Sequence, residues 1–396
     1  MTEFLFRYGV LILFVVTMSI VIFFVIIDYK KPRKVIRFPK LSFMIPCYND
    51  WSTVIDTIKS IQNSYIENDI QIIVINDNSD EATLKILEKS KNIFWYELVT
   101  NTKNLWKALS INQNVEKATG EYIFVVDADI VVNKKALHDV LARFQFNDKM
   151  WWVSCACMPI NKWFLPAMQS LEYTMMSLIA LSYNNTSALS LWWWFFAFRK
   201  EAFYQVWMLS LDAITEDMDL AFKLNNFGWK VQQSSYSVKT LVPDNIKKWY
   251  KQKLRWNAWW VLCYIKYFKI WIKKPLIVVL FLSFVIIIFL AAYNFFHTLV
   301  WFYVDISKAT SFQWFLNLLQ LLQWNEILKK ILTKLLFTLL SFPYVIPLIK
   351  KFKHIYKIFY LVPYSLVYIP MYSVVWIIGM IRWIHRYIYW KWKRWW

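Results

Sequence analysis

The stretch Glu121-Tyr122-Ile123-Phe124-Val125-Val126-Asp127-Ala128-Asp129 decides how this chain folds. After Glu121 come five apolar residues rich in aromatic and β-branched side chains, the composition of a strand covered on both faces. The run then stops abruptly at two carboxylates separated by an alanine. Leu41-Ser42-Phe43-Met44-Ile45 and Gln71-Ile72-Ile73-Val74-Ile75 repeat the pattern, each also ending in polar residues. Such runs alternate with helical patterns from about Leu41 to Val242, which predicts an α/β domain with a largely parallel sheet. Ligands of parallel sheets sit beyond the carboxyl ends of the strands, so the residues just after these runs are the candidates for chemistry.

Asp127 and Asp129 head that group. Two carboxylates one residue apart can share a hard divalent cation, Mg2+ or Mn2+, and hold it against a diphosphate. Solvated loop acids are the alternative for this pair alone. In Ile45-Pro46-Cys47-Tyr48-Asn49-Asp50 the strand breaks at Pro46, which places Tyr48 at the rim beside a planar ring; Ile75-Asn76-Asp77-Asn78-Ser79-Asp80 offers Asp77 to a uracil imide. Each loop by itself reads better as turn chemistry. Ile214-Thr215-Glu216-Asp217-Met218-Asp219-Leu220 sets three acids before an apolar helical pattern, where they serve as capping groups or supply a general base.

The flanks are of another kind. Hydrophobic residues make up 58% of the 396 and charged residues 18%, an apolar excess that belongs in lipid. A run from about Tyr8 to Ile27 is long enough to span a bilayer, as are tracts near 275–304, 331–349 and 359–383, whereas 307–330 reads better as a surface helix. The net charge of +20 gathers beside these tracts, at Lys30-Lys31-Pro32-Arg33-Lys34, Lys350-Lys351-Phe352-Lys353 and Lys391-Trp392-Lys393-Arg394. Juxtamembrane cations favour an anionic lipid bilayer as partner and not nucleic acid. The positive-inside rule then puts the segment after Lys30 in the cytoplasm. The expected organisation is an N-terminal transmembrane helix at 1–30, a catalytic domain at 40–243, interfacial helices at 244–274 and about three spans in 275–396. Cys47, Cys155, Cys157 and Cys263 are expected as buried thiols, since the four histidines are too scattered to complete a zinc set.

Taken in order, Ile-Pro-Cys-Tyr-Asn, Ile-Asn-Asp, Asp-Ala-Asp, Ala-Phe-Arg-Lys-Glu-Ala, Thr-Glu-Asp and Gln252-Lys253-Leu254-Arg255-Trp256 resemble the inverting family 2 glycosyltransferases of GT-A fold. The last motif has the QxxRW form of their membrane-bound polymerising branch, and the whole is most similar to bacterial poly-N-acetylglucosamine synthases. The resemblance implies a GT-A domain inserted between transmembrane helices at the inner (plasma) membrane, catalytic domain cytoplasmic. It implies a UDP-sugar donor, a growing polysaccharide acceptor and room for an accessory membrane subunit. Tyr48 and Asp77 would contact the uridine, Lys107 the substrate, Asp127 and Asp129 the UDP and its metal. Asp217 would be the base, with Glu216 beside it, while Gln252, Arg255 and Trp256 would close over the site. Transfer of one sugar to a lipid phosphate, and a degenerate sugar-binding protein, are the alternatives.

One departure stands out. The chain has 25 Trp and 4 Gly, where glycine ordinarily takes about 7% of positions. Asn104-Leu105-Trp106-Lys107-Ala108 carries Trp where the family's Asn-x-Gly-Lys-Ala has glycine. Trp192-Trp193-Trp194 likewise stands in an approach to Ala197-Phe198-Arg199 that is glycine-rich in the family, and Trp259 or Trp260 follows the Arg-Trp pair where a glycine is usual. Trp229, Trp249 and Trp256 stand where the family uses Trp. The swap suggests UGA codons that the source reads as glycine.

Overall fold

The computed structural model describes residues 16–17, 19–28, 33–185, 194–211, 216–275, 277–286, 288–289, 292–293, 296, 360 and 363–393. One compact unit comprises Phe23–Asn245 and Trp259–Lys274; the other comprises Met1–Ile22, Ile246–Ala258 and Pro275–Trp396.

The first unit is built on a seven-stranded sheet of order β3-β2-β1-β4-β6-β5-β7. Its strands are β1 (Leu41–Cys47), β2 (Ile70–Asn76), β3 (Glu97–Thr100), β4 (Tyr122–Val126), β5 (Met150–Pro159), β6 (Phe195–Arg199) and β7 (Lys230–Thr240). β1 pairs in parallel with β2 and β4, and β2 with β3, so the three strands expected from the sequence are neighbours at the centre. β6 runs antiparallel to both β4 and β5. That reversal marks the place in the sheet where the direction of the chain changes, immediately beside the Asp127 strand end.

Helices α1 (Val54–Ser64), α2 (Glu81–Ser90), α3 (Trp106–Asn114), α4 (Lys134–Phe146) and α5 (Phe164–Ser182) connect the strands. α1 buries Val54, Ile58 and Ile61, an i, i+3/i+4 stripe that fits one covered face. Asp80 caps α2 by accepting from the Thr83 amide (2.8 Å), and Asn133 caps α4 by accepting from Ala136 (3.0 Å). Phe43 and Phe124 stack across β1 and β4 with ring centroids 4.8 Å apart. A polar knot lies behind the core: fully buried Arg143 donates to Asp139 (2.9 Å), Gln232 (3.0 Å), Ser235 (2.9 Å) and Asp28 (3.1 Å). Cys47, Cys155, Cys157 and Cys263 are buried, as expected of inert thiols.

In the second unit the first part of α8 (Ile246–Lys266) packs on the segment leading into α9 (Ile369–Lys393), with the Trp249 indole donating to the Tyr368 hydroxyl (2.8 Å) and Tyr372 donating to Asn257 (3.0 Å). Among the described residues no helix is long and apolar enough to cross a membrane. The expected span at 331–349, most of the second half of that at 275–304 and most of the first half of that at 8–27 lie outside the described residues.

Six described non-glycine residues have positive φ: Asn49, Asn78, Trp95, Trp106, Trp207 and Met208. Asparagine tolerates that region; for other side chains it costs roughly 1–2 kcal/mol per residue. Gly120 meets the opposite constraint, close approach. A Cβ there would lie 2.4 Å from the Ser42 amide nitrogen, and the Gly120 amide donates to Ser42 Oγ at 2.8 Å. Gly120→Ala is therefore expected to push β4 away from β1 and lower stability by about 1–3 kcal/mol, read by denaturant unfolding of the solubilised chain.

Candidate active site

The carboxyl ends of β1 and β2 are clasped together. The Asp77 amide donates to the Cys47 carbonyl (2.9 Å), the Asn49 amide to Ser79 Oγ (3.0 Å) and the Asp80 amide to Asn49 Oδ1 (2.8 Å). Asn49 and Asn78 make the turns at φ 58° and 59°. Tyr48, between two pinned residues, is left half exposed at the rim.

Asp77 is buried, and three donors converge on its Oδ1: the Asn101 amide group (2.7 Å), the Leu105 backbone amide (2.8 Å) and Ser110 Oγ (2.9 Å). Asp77 thus braces the loop that leads into α3. That loop sets Lys107, whose Nζ lies 2.6 Å from Asp127 Oδ1. The sequence offered Asp77 and Lys107 as separate contacts; the fold links them, the first positioning the second.

Asp127 follows β4, its amide donating to the Trp194 carbonyl on the β6 side (3.0 Å). The Ala128 carbonyl accepts from Thr57 of α1 (2.8 Å), and Thr240 at the end of β7 donates to Asp129 Oδ2 (2.9 Å). Three elements therefore fix the Asp-Ala-Asp corner. Desolvation, and after it the Asp127 charge, push the Asp129 carboxyl up to about 6. Asp50 is raised as well, first by the protein packed around it and then by Asp127. Charge crowding of this kind is what a divalent cation relieves. Among the described residues no cluster of three or more acidic, His or Cys groups could hold a metal. The Asp127 and Asp129 pair fits an ion that completes its shell with diphosphate oxygens and water, as Mg2+ and Mn2+ do. Asp50 and Thr240 were not singled out in the sequence; the acid directly after Tyr48-Asn49 was the available signal for the first.

Glu216 and Asp217 open α7 (Glu216–Asn226), and their side chains lie outside the described residues. The helix itself is anchored by Asp219, fully buried, which accepts from Ser210 Oγ, Lys266 Nζ (2.6 Å) and the Tyr267 hydroxyl (2.9 Å). Phe222 stacks on Tyr267 at 4.9 Å and reinforces the joint. Sequence reasoning counted Asp219 among three acids without giving it this role. Gln252, Arg255 and Trp256 ride on the early part of α8, in the other unit, Arg255 exposed and the other two partly buried. Lys253 between them is buried with its ammonium 4.5 Å from the Trp256 ring centroid.

Residues 42–207 match the family described as "Glycosyl transferase family 2". That range holds Tyr48, Asp77, Lys107, Asp127 and Asp129 and stops short of Asp217 and the QxxRW motif. The chain is 31% identical over 221 residues to a poly-β-1,6-N-acetyl-D-glucosamine synthase of Staphylococcus epidermidis, covering 54% of this chain and 53% of that protein. To the synthase of the same name from Staphylococcus aureus strain COL it is 28% identical over 225 residues, with the same coverage. The chain thus spans about half the length of the curated relatives it matches. Among solved structures, a mannosyltransferase of Pyrobaculum calidifontis in complex with GDP-Man and Mn2+ aligns with a TM-score of 0.54 at 15% identity, covering 69% of this chain and 80% of that one. At that identity the likeness speaks for the fold, a mixed α/β domain of GT-A type. Residues 42–207 thus match the glycosyl transferase family 2 model, and over about half its length the chain is similar to the poly-β-1,6-N-acetylglucosamine synthases.

Proposed function

We propose that this chain extends a β-linked polysaccharide at the cytoplasmic face of the plasma membrane, using a UDP-sugar, by preference UDP-N-acetylglucosamine, and inverting the anomeric centre. The observation that carries the reading is the corner beyond β4, where Lys107 meets Asp127 at 2.6 Å and Asp129 is held at about pKa 6 within reach of a shared cation. The likeness to N-acetylglucosamine polymer synthases supports the donor, and the QxxRW motif supports chain extension at the membrane. A multi-pass arrangement with an accessory membrane subunit belongs to the same reading.

In this mechanism Tyr48 and the Asp77 loop hold the uridine, and Lys107 offers its cation to the diphosphate. A divalent ion bound by Asp127 and Asp129 supplies Lewis acidity towards the leaving group. Asp217, with Glu216 beside it, accepts the proton of an acceptor hydroxyl while that oxygen bonds to the anomeric carbon. The bond from that carbon to the diphosphate oxygen breaks, and UDP departs with its electron pair. Arg255 braces the diphosphate, Trp256 stacks on the acceptor end, and Gln252 helps close the site.

Asp217→Asn is expected to slow UDP release and polymer formation by at least about 100-fold, the usual worth of a general base, in membranes given radiolabelled UDP-N-acetylglucosamine and Mg2+. Normal elongation by that variant would sink the base assignment, and a product one sugar long would sink polymerisation. Asp129 makes a second prediction. Its native pKa lies above the unfolded value of 3.8, so the metal-free protein holds the extra proton and loses stability from this group as pH rises from about 4 to about 6. Mn2+ needs the ionised pair, so its stabilising shift in thermal midpoint should be large above about pH 6 and shrink below it. An equal shift at all pH values would contradict cation binding by this pair.

A further inference from the structure

Two helix ends, the turns after α2 and one loop turn of the first unit carry the argument. After α7, Gly228 takes φ 80°, with the Trp229 amide donating to the Leu224 carbonyl (3.1 Å) and the Gly228 amide to Asn225 (3.1 Å). This is the Schellman close, in which the residue after the cap adopts the left-handed conformation and is usually glycine. Helix α6 (Lys200–Gln205) ends by the same pair of bonds: Met208 donates to Phe203 (2.9 Å) and Trp207 to Tyr204 (3.0 Å). The residue at the glycine position there is Trp207, φ 62°. The turns after α2 close through Tyr96 donating to the Lys91 carbonyl (3.2 Å), and the left-handed residue is Trp95, φ 51°. In the loop ahead of Lys107 it is Trp106, φ 66°.

The indoles give nothing back for this strain. Trp95, Trp106 and Trp207 are 85%, 80% and 81% exposed. Trp249, by contrast, is 1% exposed and hydrogen-bonded through its indole nitrogen. Among the described residues Trp249 packs, whereas Trp95, Trp106 and Trp207 project into solvent from backbone at positive φ.

We infer that positions 95, 106 and 207 are glycine in the protein its own cell synthesises, encoded by UGA and charged there with glycine, and that they are tryptophan only where UGA is read as tryptophan. The Trp106 swap was visible in its motif; Trp95 and Trp207 lie in no motif and are picked out by backbone conformation alone. The consequence for the site is direct. Position 106 adjoins Lys107, so the enzyme as made in its cell presents Lys107 and Asp127 from an unstrained turn without an indole at the mouth.

The codons test this first: UGA at 95, 106 and 207 with UGG at 249 and 256 is expected, and UGG at the three turn positions overturns it. Peptide mass spectrometry of the protein from its own cells then reads glycine or, to overturn the proposal, tryptophan. A recombinant test is independent of the codons and of any activity. In the full chain in detergent, Trp95→Gly and Trp207→Gly should each raise the thermal midpoint by a few degrees, whereas Trp95→Ala and Trp207→Ala, which remove the indole but keep a Cβ at positive φ, should gain clearly less. Trp249→Gly should lower it. Equal effects of Gly and Ala at positions 95 and 207 would show that the backbone does not ask for glycine there.

Discussion

Two carboxylates one residue apart, at the end of a strand buried along its whole length, ionise together only at a cost that a nearby cation offsets. That constraint organises the catalytic unit. Asp127 has Lys107 at 2.6 Å, and Asp129 is left with a pKa near 6 and a single hydroxyl donor from Thr240 recorded on its Oδ2. The corner cannot relax outward, because β6 holds the Asp127 amide, α1 holds the Ala128 carbonyl, and the Val131–Lys239 bridge fixes the chain just beyond. A site tied on three sides keeps its charges close, and under the proposed function a metal with a diphosphate would find its ligands preorganised.

The cation at that corner depends in turn on a residue 30 positions earlier. Asp77 closes the loop from Asn101 to Ser110 by taking three donors on one oxygen, which sets the start of α3 and hence Lys107. A nucleotide base approaching Asp77 would therefore meet a group already engaged in ordering the phosphate side. Under the proposed function, base recognition and phosphate recognition would share one carboxylate, a short physical route by which occupancy of one end would be felt at the other.

The central half of the sheet was legible because its strands obey the simplest rule. β1, β2 and β4 are apolar on both faces and end in acids or amides, and they pair in parallel as that pattern demands. β7 was illegible for the opposite reason. Its Lys-Val-Gln-Gln-Ser-Ser run is polar, yet Gln232, Gln233, Ser234 and Ser235 are buried, hydrogen-bonded to Asn184, Ser177, Asp139 and Arg143 from other elements. Buried polar residues are intelligible only with their partners, and those lie from 48 to 95 residues away. The same holds at Asp219. Its neighbours Glu216 and Asp217 form a motif, whereas its own role depends on Lys266 and Tyr267, which belong to no recognisable pattern.

Where residue and backbone disagree, the disagreement itself carries information. Folded chains are consistent from level to level, local preference agreeing with tertiary role except at sites under functional strain. Trp95 and Trp207 fit neither case: they cap ordinary turns, away from the carboxylates, and their side chains touch little. The hydrogen bonds that close those turns are backbone to backbone and would form with any residue that can reach positive φ, so the fold is determined without the indoles and in spite of them. Gly228 shows the same close made with the residue that suits it. A backbone that makes one pair of closing bonds at both Gly228 and Trp207, and finds its natural residue at the first, states which residue the second was shaped to hold.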